Sequence, residues 1–428
     1  MVRLKKQDGF DTSLIPFAYR ESPLLTLRVQ SDALENQPPM NRPKILQIIT
    51  KSELGGAQSH VADLLDGFGT SHSNFDNRDN SDAALSRFVG ACEMHLATGA
   101  EGPLTQRARA LGAHVHILPR LQRSVNPVVD LEAVRECARL IRRIKPDIVH
   151  AHSSKAGVVT RLAGRRTGVP VVFTAHGWGF SPGTPPARRA LAWAVEAFVA
   201  PLGARIICVS ESDRRLALSR RVGTSEKLVT IRYGIPPESE QARPATSPPR
   251  LIMVARFNEQ KDQTTLLQAL SLLERDGTQR DFHVDLVGSG PDFDRLQTLA
   301  RELELGSRVS FLGDRHDVPQ LLVASQVFIL STHYEGLPIS IMEAMRAGLP
   351  VIATDVSGIK EEVEHGENGL LTPHRDASAL ARALDTLIQD APRREGMGKA
   401  ARQKFEREFT RDRMLGQIED LYRQLARR

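Results

Sequence analysis

Short apolar runs typical of strands alternate with segments of helical periodicity along most of this 428-residue chain. The alternation occurs in two series, and the proline-rich stretch 234–250 separates them. A strand, a helix and a second strand in succession form a parallel pair with a crossover helix, so each series predicts a parallel, doubly wound sheet. The expected fold class is therefore α/β, with two Rossmann-like domains.

Domain boundaries follow from where this periodicity begins and ends. Residues 1–42 are predicted to be an N-terminal extension that is poorly ordered. Residues 43–235 form the predicted first domain, residues 236–250 the linker and residues 251–410 the second domain. Residues 411–428 are predicted to form an amphipathic C-terminal helix that packs back on the first domain. The polar stretch 69–84 is predicted to be an inserted surface loop. We assign no role to the extension or to the insertion.

Composition and charge exclude several classes of protein. The three cysteines have neither disulfide-scaffold nor zinc-site spacing, so a reducing cytoplasm is the expected location. No run reaches the roughly 18–20 apolar residues that cross a bilayer. Residues 1–235 hold 32 lysines and arginines against 21 acids, whereas the remainder holds 25 against 30. The basic first half predicts an anionic partner, either a membrane surface or a nucleic acid, and a solvated surface without a partner is the alternative.

The stretch FILSTHYEGLPISIMEAMRAGLPVIAT, residues 328–354, predicts a strand, a turn and a helix. Gly336 allows close approach of the backbone to a ligand, and Pro338 suits the first helical turn. Because free N–H groups and the positive end of a helix dipole then point above the strand, we expect an anion to bind there. Two acids, Glu335 and Glu343, flank this site and are free to contact the neutral, hydroxyl-rich parts of the same ligand.

Other candidate ligand-binding residues follow the ends of predicted strands. Gly55 and Gly56 form a diglycine turn between the first strand and a helix, which can cradle a phosphate. Arg256 and Lys261 place two cations at one strand end, as a diphosphate requires. His176 follows VVFTA and precedes a glycine-rich turn, where it either hydrogen-bonds a substrate hydroxyl or serves the turn alone.

No metal or redox cofactor is expected. The sequence GSG at 288–290 is half of a dinucleotide fingerprint, but Phe293 stands at the third glycine position, and there is no P-loop motif. Asp292 and Asp294 are interpreted as acids that favour a helix N-terminus rather than as metal ligands. We expect His150 and His152 to point to opposite faces of their strand, which leaves no two-histidine metal site.

The segment PPARRALAWAVEAFVAPL, residues 185–202, is almost wholly apolar after Arg188 and Arg189. Its favoured interpretation is a buried helix of the first domain. The alternative is a helix lying at a membrane interface, with basic residues at one end and Trp193 and Phe198 on its flank. That alternative is retained because residues 151–235 are the most basic part of the chain.

These motifs together resemble the retaining glycosyltransferases of family 4, whose two Rossmann-like domains face each other across a cleft in the GT-B architecture. The resemblance covers about residues 44–410. It is carried by VARFNEQKD, LVGSGPD, VSFLGDRHDV and above all STHYEGLPISIMEAMRAGLPVIATDVSG. In the first half, HSSKAGVVTRLAGRRTGVPVVFTAHGWGF is similar to the branch that builds bacterial surface polysaccharides on lipid carriers.

The resemblance implies retaining, metal-independent transfer of a sugar from a nucleotide-sugar donor to a lipid-linked or other membrane-associated acceptor. The second domain would bind the donor and the first the acceptor, in the cytoplasm or on the cytoplasmic face of the inner membrane. Glu343 would bind the ribose hydroxyls, and Glu335 would hold hydroxyls of the transferred sugar. Arg256 and Lys261 would neutralise the diphosphate, and His176 would contact the donor sugar. The backbone cradle of the diphosphate would be completed by Gly55, Gly56, Gly336, Leu337, Pro338 and Ile339.

Other functions remain open at this level. A nucleotide-sugar epimerase of the same architecture would consume donor without acceptor. A basic nucleic-acid-binding protein is disfavoured, because only 5% of the residues are aromatic and no readout motif is present. A non-catalytic binding subunit is disfavoured because Glu335, Glu343, Arg256 and Lys261 are all present.

Overall fold

The computed structural model of the chain describes residues 42–53, 55–69, 90–182, 184–275 and 278–426. Two parallel sheets, each flanked by helices, form the described part, so the predicted α/β fold class with two Rossmann-like domains is confirmed. The predictions for 1–42 and 69–84 lie outside the described residues, apart from Arg42 and Gly69.

The first domain contains a seven-stranded parallel sheet. Its strands β1 to β7 are Lys44–Ile49, Glu93–Thr98, His114–Ile117, Ile148–His152, Val171–Ala175, Arg205–Cys208 and Leu228–Thr230. Its helices α1 to α6 are Gly56–Phe68, Pro103–Ala110, Pro127–Ile144, Ser154–Thr167, Pro186–Val199 and Glu211–Ser219. The spatial order is β3-β2-β1-β4-β5-β6-β7. The order reverses between β1 and β4, where ligands bind such sheets at the carboxyl ends of the strands.

The second domain contains a six-stranded parallel sheet with the order β10-β9-β8-β11-β12-β13. The strands β8 to β13 are Arg250–Val254, His283–Val287, Val309–Gly313, Val327–Leu330, Val351–Thr354 and Gly369–Thr372. The helices α7 to α13 are Gln263–Arg275, Phe293–Glu302, Val318–Val323, Ile339–Arg346, Ile359–Glu362, Ala377–Gln389 and Ala391–Glu408. The reversal of strand order here falls between β8 and β11, so the loop after β11 lies at the second switch point.

Local sequence explains where these elements begin and end. The side chain of Asn126 accepts hydrogen bonds from the N–H groups of Val128 and Val129, which satisfies two free donors at the start of α3. Helix α4 ends at Gly168, whose φ of 78° is left-handed and suits glycine. The central strands are buried on both faces: all five residues of β5, VVFTA, are buried. Continuous apolar runs of this kind are typical of parallel sheets covered by helices on both sides.

The last helix, α14 (Arg411–Ala426), belongs to the core of the first domain. Its buried residues Met414, Ile418, Tyr422 and Leu425 follow helical spacing and pack with residues of α1 and β1. The chain returns to the first domain beside the linker, where Ile235 and Thr410 form a β-bridge. Two chain segments therefore cross between the domains side by side.

Helix α5 (Pro186–Val199) is not the buried helix that the sequence favoured. Only Glu196 and Val199 are buried among its residues. Leu191, Val195 and Phe198 are exposed, the first by 59% and the last by 74%. Their spacing of four and three residues places them on one helix face. The apolar residues of this segment thus lie largely on the surface, and the interpretation as a core helix is wrong.

Among the described residues, the structure contains no helix with both the length and the hydropathy required to cross a bilayer.

Candidate active site

The loop between β11 and α10 is built as the sequence pattern predicts, with a strand, a turn and a helix N-terminus. Pro338 is the extended residue that precedes α10, and Ile339 is the first helical residue. Leu337 is buried beneath the turn. The Thr332 hydroxyl oxygen lies 3.0 Å from the Gln260 carbonyl oxygen, and the Thr354 hydroxyl accepts from the Thr332 N–H at the same distance. These bonds tie the loop to β12 and to the loop after β8.

Glu335 and Lys261 form an ion pair at this loop. The side chains of both residues are largely buried, and the Glu335 carboxylate also accepts a hydrogen bond of 2.9 Å from the Thr332 hydroxyl. A charge-assisted pair in a partly desolvated place fixes the position of both groups. The ammonium group predicted to face a diphosphate and the acid predicted to face a sugar therefore lie side by side.

Glu343 lies one helical turn after Ile339 on α10. It lines a small cavity of about 40 Å³ together with Gln320, Arg346 and the linker residue Glu238. Burial raises the pKa of Glu343 above its ordinary value, and the nearby Arg346 guanidinium opposes that rise. Because the two oxygens of a carboxylate can accept hydrogen bonds from two neighbouring hydroxyls, this group suits a vicinal diol such as ribose.

The diglycine turn of the first domain meets the helix N-terminus of the second. A side chain added at Gly56 would place its Cβ 3.2 Å from the Ile339 Cδ1 atom. Arg256 follows β8 and is exposed. The hydrogen bond and ion pair with Lys51 are the main cause that lowers the pKa of Glu53 in the first domain, and the charge of Arg256 lies close enough to add to this effect. The two predicted anion cradles and one predicted cation thus line the same cleft from opposite sides.

A second contact between the domains occurs at His176 and Gly177. The Cβ position of Gly336 lies 3.5 Å from the Gly177 Cα atom and 3.4 Å from Oδ2 of Asp213. Gly177 has a φ of 101°, which other residues rarely adopt. Glycines at these two positions allow the loop that carries Glu335 to approach the loop that carries His176.

His176 uses both of its ring nitrogens inside the protein. Its Nε2 lies 3.1 Å from His152 Nδ1, and its Nδ1 is paired with the Tyr233 hydroxyl. Burial is the largest cause that holds the pKa of His176 well below its ordinary value, so the ring is neutral. The sequence predicts that His176 hydrogen-bonds a sugar hydroxyl. For this to happen, the ring must break its hydrogen bond with either His152 or Tyr233.

The expectation that His150 and His152 point to opposite faces is wrong. Residues two apart on a strand share a face, and the two ring centroids lie 4.3 Å apart. His60 of α1 packs against the same cluster, with its ring centroid 5.5 Å from that of His152 and 5.4 Å from that of His176. Desolvation lowers the pKa of His60 to about 3. The described residues contain no group of three or more ligating side chains arranged for a metal ion.

Asp292 and Asp294 occupy the positions expected of acids at a helix start. Asp292 precedes α8, and Asp294 lies in its first turn. An Asp292 carboxylate oxygen lies 3.6 Å from the Arg295 guanidinium, within the same helix turn.

Three functional candidates were missed by the sequence analysis: Asp213, Tyr233 and Glu361. Asp213 is buried in the first turn of α6, and its Oδ2 has no hydrogen-bond partner among the described residues. Burial raises the pKa of Asp213 to about 6. Tyr233 follows β7, is buried, and pairs its hydroxyl with His176 Nδ1. No motif marks these residues; the only signal is that Asp213 follows the carboxyl end of β6, where ligands bind.

Glu361 of α11 clasps the two domains together. Its carboxylate accepts hydrogen bonds from the backbone N–H groups of Glu211 and Ser212, at 3.0 and 2.8 Å. The Ser212 hydroxyl and the Arg232 guanidinium donate to it as well, at 2.7 and 2.9 Å. An acid of the second domain therefore caps the N-terminus of α6 in the first.

The architecture, two doubly wound domains that meet at their switch points, is that of GT-B glycosyltransferases. Two family profiles match the chain: residues 85–234 match the glycosyl transferase 4-like domain, and residues 235–404 match the glycosyl transferases group 1. The chain belongs to this glycosyltransferase family, and the predicted resemblance is confirmed.

Relatives and solved structures agree. The chain is 30% identical to the putative glycosyltransferase EpsD of Bacillus subtilis (strain 168), covering 71% of this chain and 83% of EpsD. It is 28% identical to an Escherichia coli protein named UDP-Gal:alpha-D-GlcNAc-diphosphoundecaprenol alpha-1,3-galactosyltransferase, covering 77% of this chain and 88% of the other. Anabaena Alr3699/HepE, solved with UDP and glucose, shares the fold with a TM-score of 0.71 at 22% identity, covering 89% of this chain and 99% of that one. The chain is thus a glycosyltransferase related to enzymes of bacterial polysaccharide biosynthesis.

Proposed function

We propose that this enzyme transfers a sugar, with retention of anomeric configuration, from a nucleotide-sugar donor to a lipid-linked or other membrane-associated acceptor. The observation that carries the proposal is the meeting of the two half-sites: the Gly55–Gly56 turn faces Ile339, and Gly177 faces Gly336. Two relatives support the choice of acceptor class, because one is named for a diphosphoundecaprenol-linked sugar and the other for colanic acid biosynthesis.

The donor diphosphate lies between the Gly55–Gly56 turn and the N-terminus of α10. Arg256 and Lys261 neutralise it, and the helix dipole adds positive potential. Because fixed cations and N–H groups meet the charge that develops on the leaving group, the proposal requires no metal ion. Activity in excess chelator tests this point; complete loss of activity would contradict it.

In the chemical step, the acceptor oxygen forms a bond to the anomeric carbon on the face from which the nucleoside diphosphate departs. The bond between that carbon and the phosphate oxygen breaks, and the leaving group keeps the electron pair. The acceptor hydroxyl proton passes to the departing phosphate oxygen. Glu335 holds the sugar hydroxyls beside the reacting carbon, and Lys261 orients Glu335 while it faces the phosphate.

The decisive experiment compares Glu335→Gln with Glu367→Gln, which alters an exposed glutamate of the same domain. We expect Glu335→Gln to lower kcat by about 100-fold or more, as loss of a transition-state contact does, and Glu367→Gln to leave it unchanged. The anomeric proton coupling in the NMR spectrum of the product tests retention. Unchanged turnover in Glu335→Gln, or an inverted product, would refute the proposal.

We also propose that the enzyme is cytoplasmic and contacts an anionic membrane through α5. Its exposed apolar face consists of Leu191, Val195 and Phe198, and Arg188 lies on the same face one turn earlier. The Trp193 indole donates to the Arg220 carbonyl at 2.9 Å, which places the exposed Arg220 and Arg221 next to this helix. Apolar residues flanked by arginines are the pattern of helices that lie in the interface of anionic bilayers. All three cysteines are free, as expected in a reducing compartment.

Co-sedimentation with phosphatidylglycerol and phosphatidylcholine vesicles tests this contact. We expect the wild type to pellet with the anionic vesicles and Phe198→Ser to pellet several-fold less. The control is Leu272→Ser, because Leu272 is an exposed leucine of α7 in the other domain. Equal binding to both lipids, or equal loss in the two variants, would contradict the membrane role of α5.

A further inference from the structure

The segment that joins β3 to α3 crosses the carboxyl ends of central strands in the first sheet. A Cβ atom added at Gly99, which follows β2, would lie 2.1 Å from the Leu121 carbonyl oxygen and 3.0 Å from the Thr50 carbonyl oxygen at the end of β1. The Leu121 side chain is buried and packs in the core of this domain. Asp130, in the first turn of α3, pairs with Lys155 of α4. The segment is therefore held on the side of the sheet where ligands bind.

Three large apolar side chains are exposed on this segment and on the start of α3. Val125 is 79% exposed, Val128 69% and Leu131 47%. The three positions follow one another at intervals of three residues, and residues three apart on a helix are neighbours on its surface. The core-facing side of α3 is a different one, which includes the buried Val134 and Ile141. We call Val125, Val128 and Leu131 the apolar strip.

Ordinary helix packing does not account for the apolar strip. An apolar residue just before a helix commonly packs against the fourth helical residue. Asn126 is the N-cap of α3 and the fourth helical residue is Asp130, so Val125 has no apolar partner at that position. Exposed apolar side chains that adjoin one another beside a cleft mark a surface that contacts an apolar ligand or partner.

An arginine lies next to the apolar strip. Arg123 precedes Val125 by two residues and is exposed. Within the part of the chain that the structure describes, no carboxylate pairs with Arg123, whereas the nearby Arg120 guanidinium lies 3.1 Å from the Glu132 carboxylate. The Arg123 guanidinium is therefore available to an anionic ligand.

The effect of Arg123 on Glu53 places this arginine at the cleft. The hydrogen bond and ion pair with Lys51 are the main cause that lowers the pKa of Glu53, and the charges of Arg123 and Arg256 add to this effect. Glu53 lies two residues before the Gly55–Gly56 turn, and Arg256 belongs to the second domain. Arg123 thus lies at the rim of the cleft on the side of the first domain, close to the place proposed for the donor diphosphate.

We propose that Arg123 and the apolar strip bind the diphosphate and the adjoining hydrocarbon of a lipid-linked acceptor at the entrance to the cleft. This inference rests on the proposed transfer to a lipid-linked acceptor and names the part of the chain that recognises the lipid. Such an acceptor carries its sugar, its diphosphate and its hydrocarbon in that order. The cleft, Arg123 and the apolar strip follow one another in the same order, and a guanidinium fork matches phosphate oxygens.

Calorimetry of the full chain with farnesyl diphosphate, farnesol and inorganic diphosphate tests the charged part of this site. We expect farnesyl diphosphate to bind more tightly than either of the other probes, because only it contacts both Arg123 and the apolar strip. Arg123→Gln should weaken farnesyl diphosphate binding by about tenfold or more and leave farnesol binding within about twofold. Arg139→Gln is the matched control, since Arg139 is an exposed arginine about three turns beyond the start of the same helix.

The double variant Val125→Ser/Val128→Ser tests the apolar part. We expect it to weaken the binding of both farnesyl probes by about tenfold and to leave inorganic diphosphate binding unchanged, because only the hydrocarbon contact is lost. Leu272→Ser, which alters an exposed leucine of α7, should change none of the three affinities.

An affinity for farnesyl diphosphate that is unchanged in Arg123→Gln or in the double valine variant would overturn the inference. Loss of binding to phosphatidylglycerol vesicles in the double variant, with farnesyl diphosphate affinity retained, would identify the apolar strip as a membrane contact and would overturn it as well. If the wild type transferred no sugar from any donor, the proposed function would fail while these binding results would still decide whether the site exists.

Discussion

Replacing Asp213 with asparagine should stabilise the folded enzyme at neutral pH and leave it unchanged in acid. Asp213 is 6% exposed, and its Oδ2 atom has no hydrogen-bond partner among the described residues. It lies in the first turn of α6, where the helix dipole favours negative charge. Burial nevertheless dominates and raises its pKa from the ordinary 3.8 to about 6. The folded state therefore favours the protonated acid.

The magnitude follows from linkage. A raised carboxyl pKa means that the folded state holds its full stability below pH 3.8 and loses part of it as the pH rises through about 6. A difference of about two pKa units corresponds to about 3 kcal/mol at a pH above both values. Asparagine cannot ionise, so the variant avoids this loss. We expect the variant and the wild type to have nearly equal stability near pH 4, to diverge as the pH rises through about 6, and to differ by a constant amount at higher pH.

Thermal unfolding at a series of pH values measures this difference. The melting temperature of Asp213→Asn should exceed that of the wild type by a few degrees at pH 8 and match it at pH 4. Asp63 also has a pKa raised to about 6 by burial, but it is present in both proteins and cancels in the comparison. Asp420→Asn is the control, because Asp420 is an exposed acid on α14 and its removal changes the net charge equally. A difference that does not vary with pH would refute the assignment.

Three further variants test other parts of the structure. Glu361→Ala removes the acceptor of five hydrogen bonds between the domains, so small-angle scattering should show a more open particle than the wild type; identical profiles would contradict the clasp. Glu196→Ala should destabilise the first domain by about 3 kcal/mol or more in urea unfolding, because it leaves the fully buried Arg161 without its carboxylate partner at 2.7 Å. Gly358→Ala should greatly weaken the binding of a nucleotide-sugar donor in calorimetry, because the new Cβ would lie 1.7 Å from the Gly336 carbonyl oxygen and displace the loop between β11 and α10; an unchanged affinity would contradict the role of this loop in donor binding.

Local patterns were sufficient for the fold because a parallel sheet needs only a repeated local unit. Each βα unit carries its own apolar strand and its own helix start, so the fold class and the switch-point loops after β1 and β11 could be predicted. The strand–turn–helix around Glu335 followed from the apolar run, Gly336 and Pro338 alone. The prediction failed for α5. Its apolar residues fit the pattern of a core helix, but the pattern does not show whether another element packs against the apolar face.

The residues behind the site could not be predicted because they depend on contacts between distant parts of the chain. Tyr422 reaches His150 across 272 residues, and Glu361 reaches Glu211 across 150. Neither Tyr422 nor Glu361 belongs to a local sequence motif. The role of each follows only from its contact with a distant segment, which the folded structure provides. The crossing at Ile235 and Thr410 returns α14 to the first domain beside the linker, which makes the contact of Tyr422 with His150 possible. The packing of α14 on the first sheet thus depends on this crossing, and we expect changes at Ile235 or Thr410 to disturb the Tyr422–His150 contact, which the melting temperature would report.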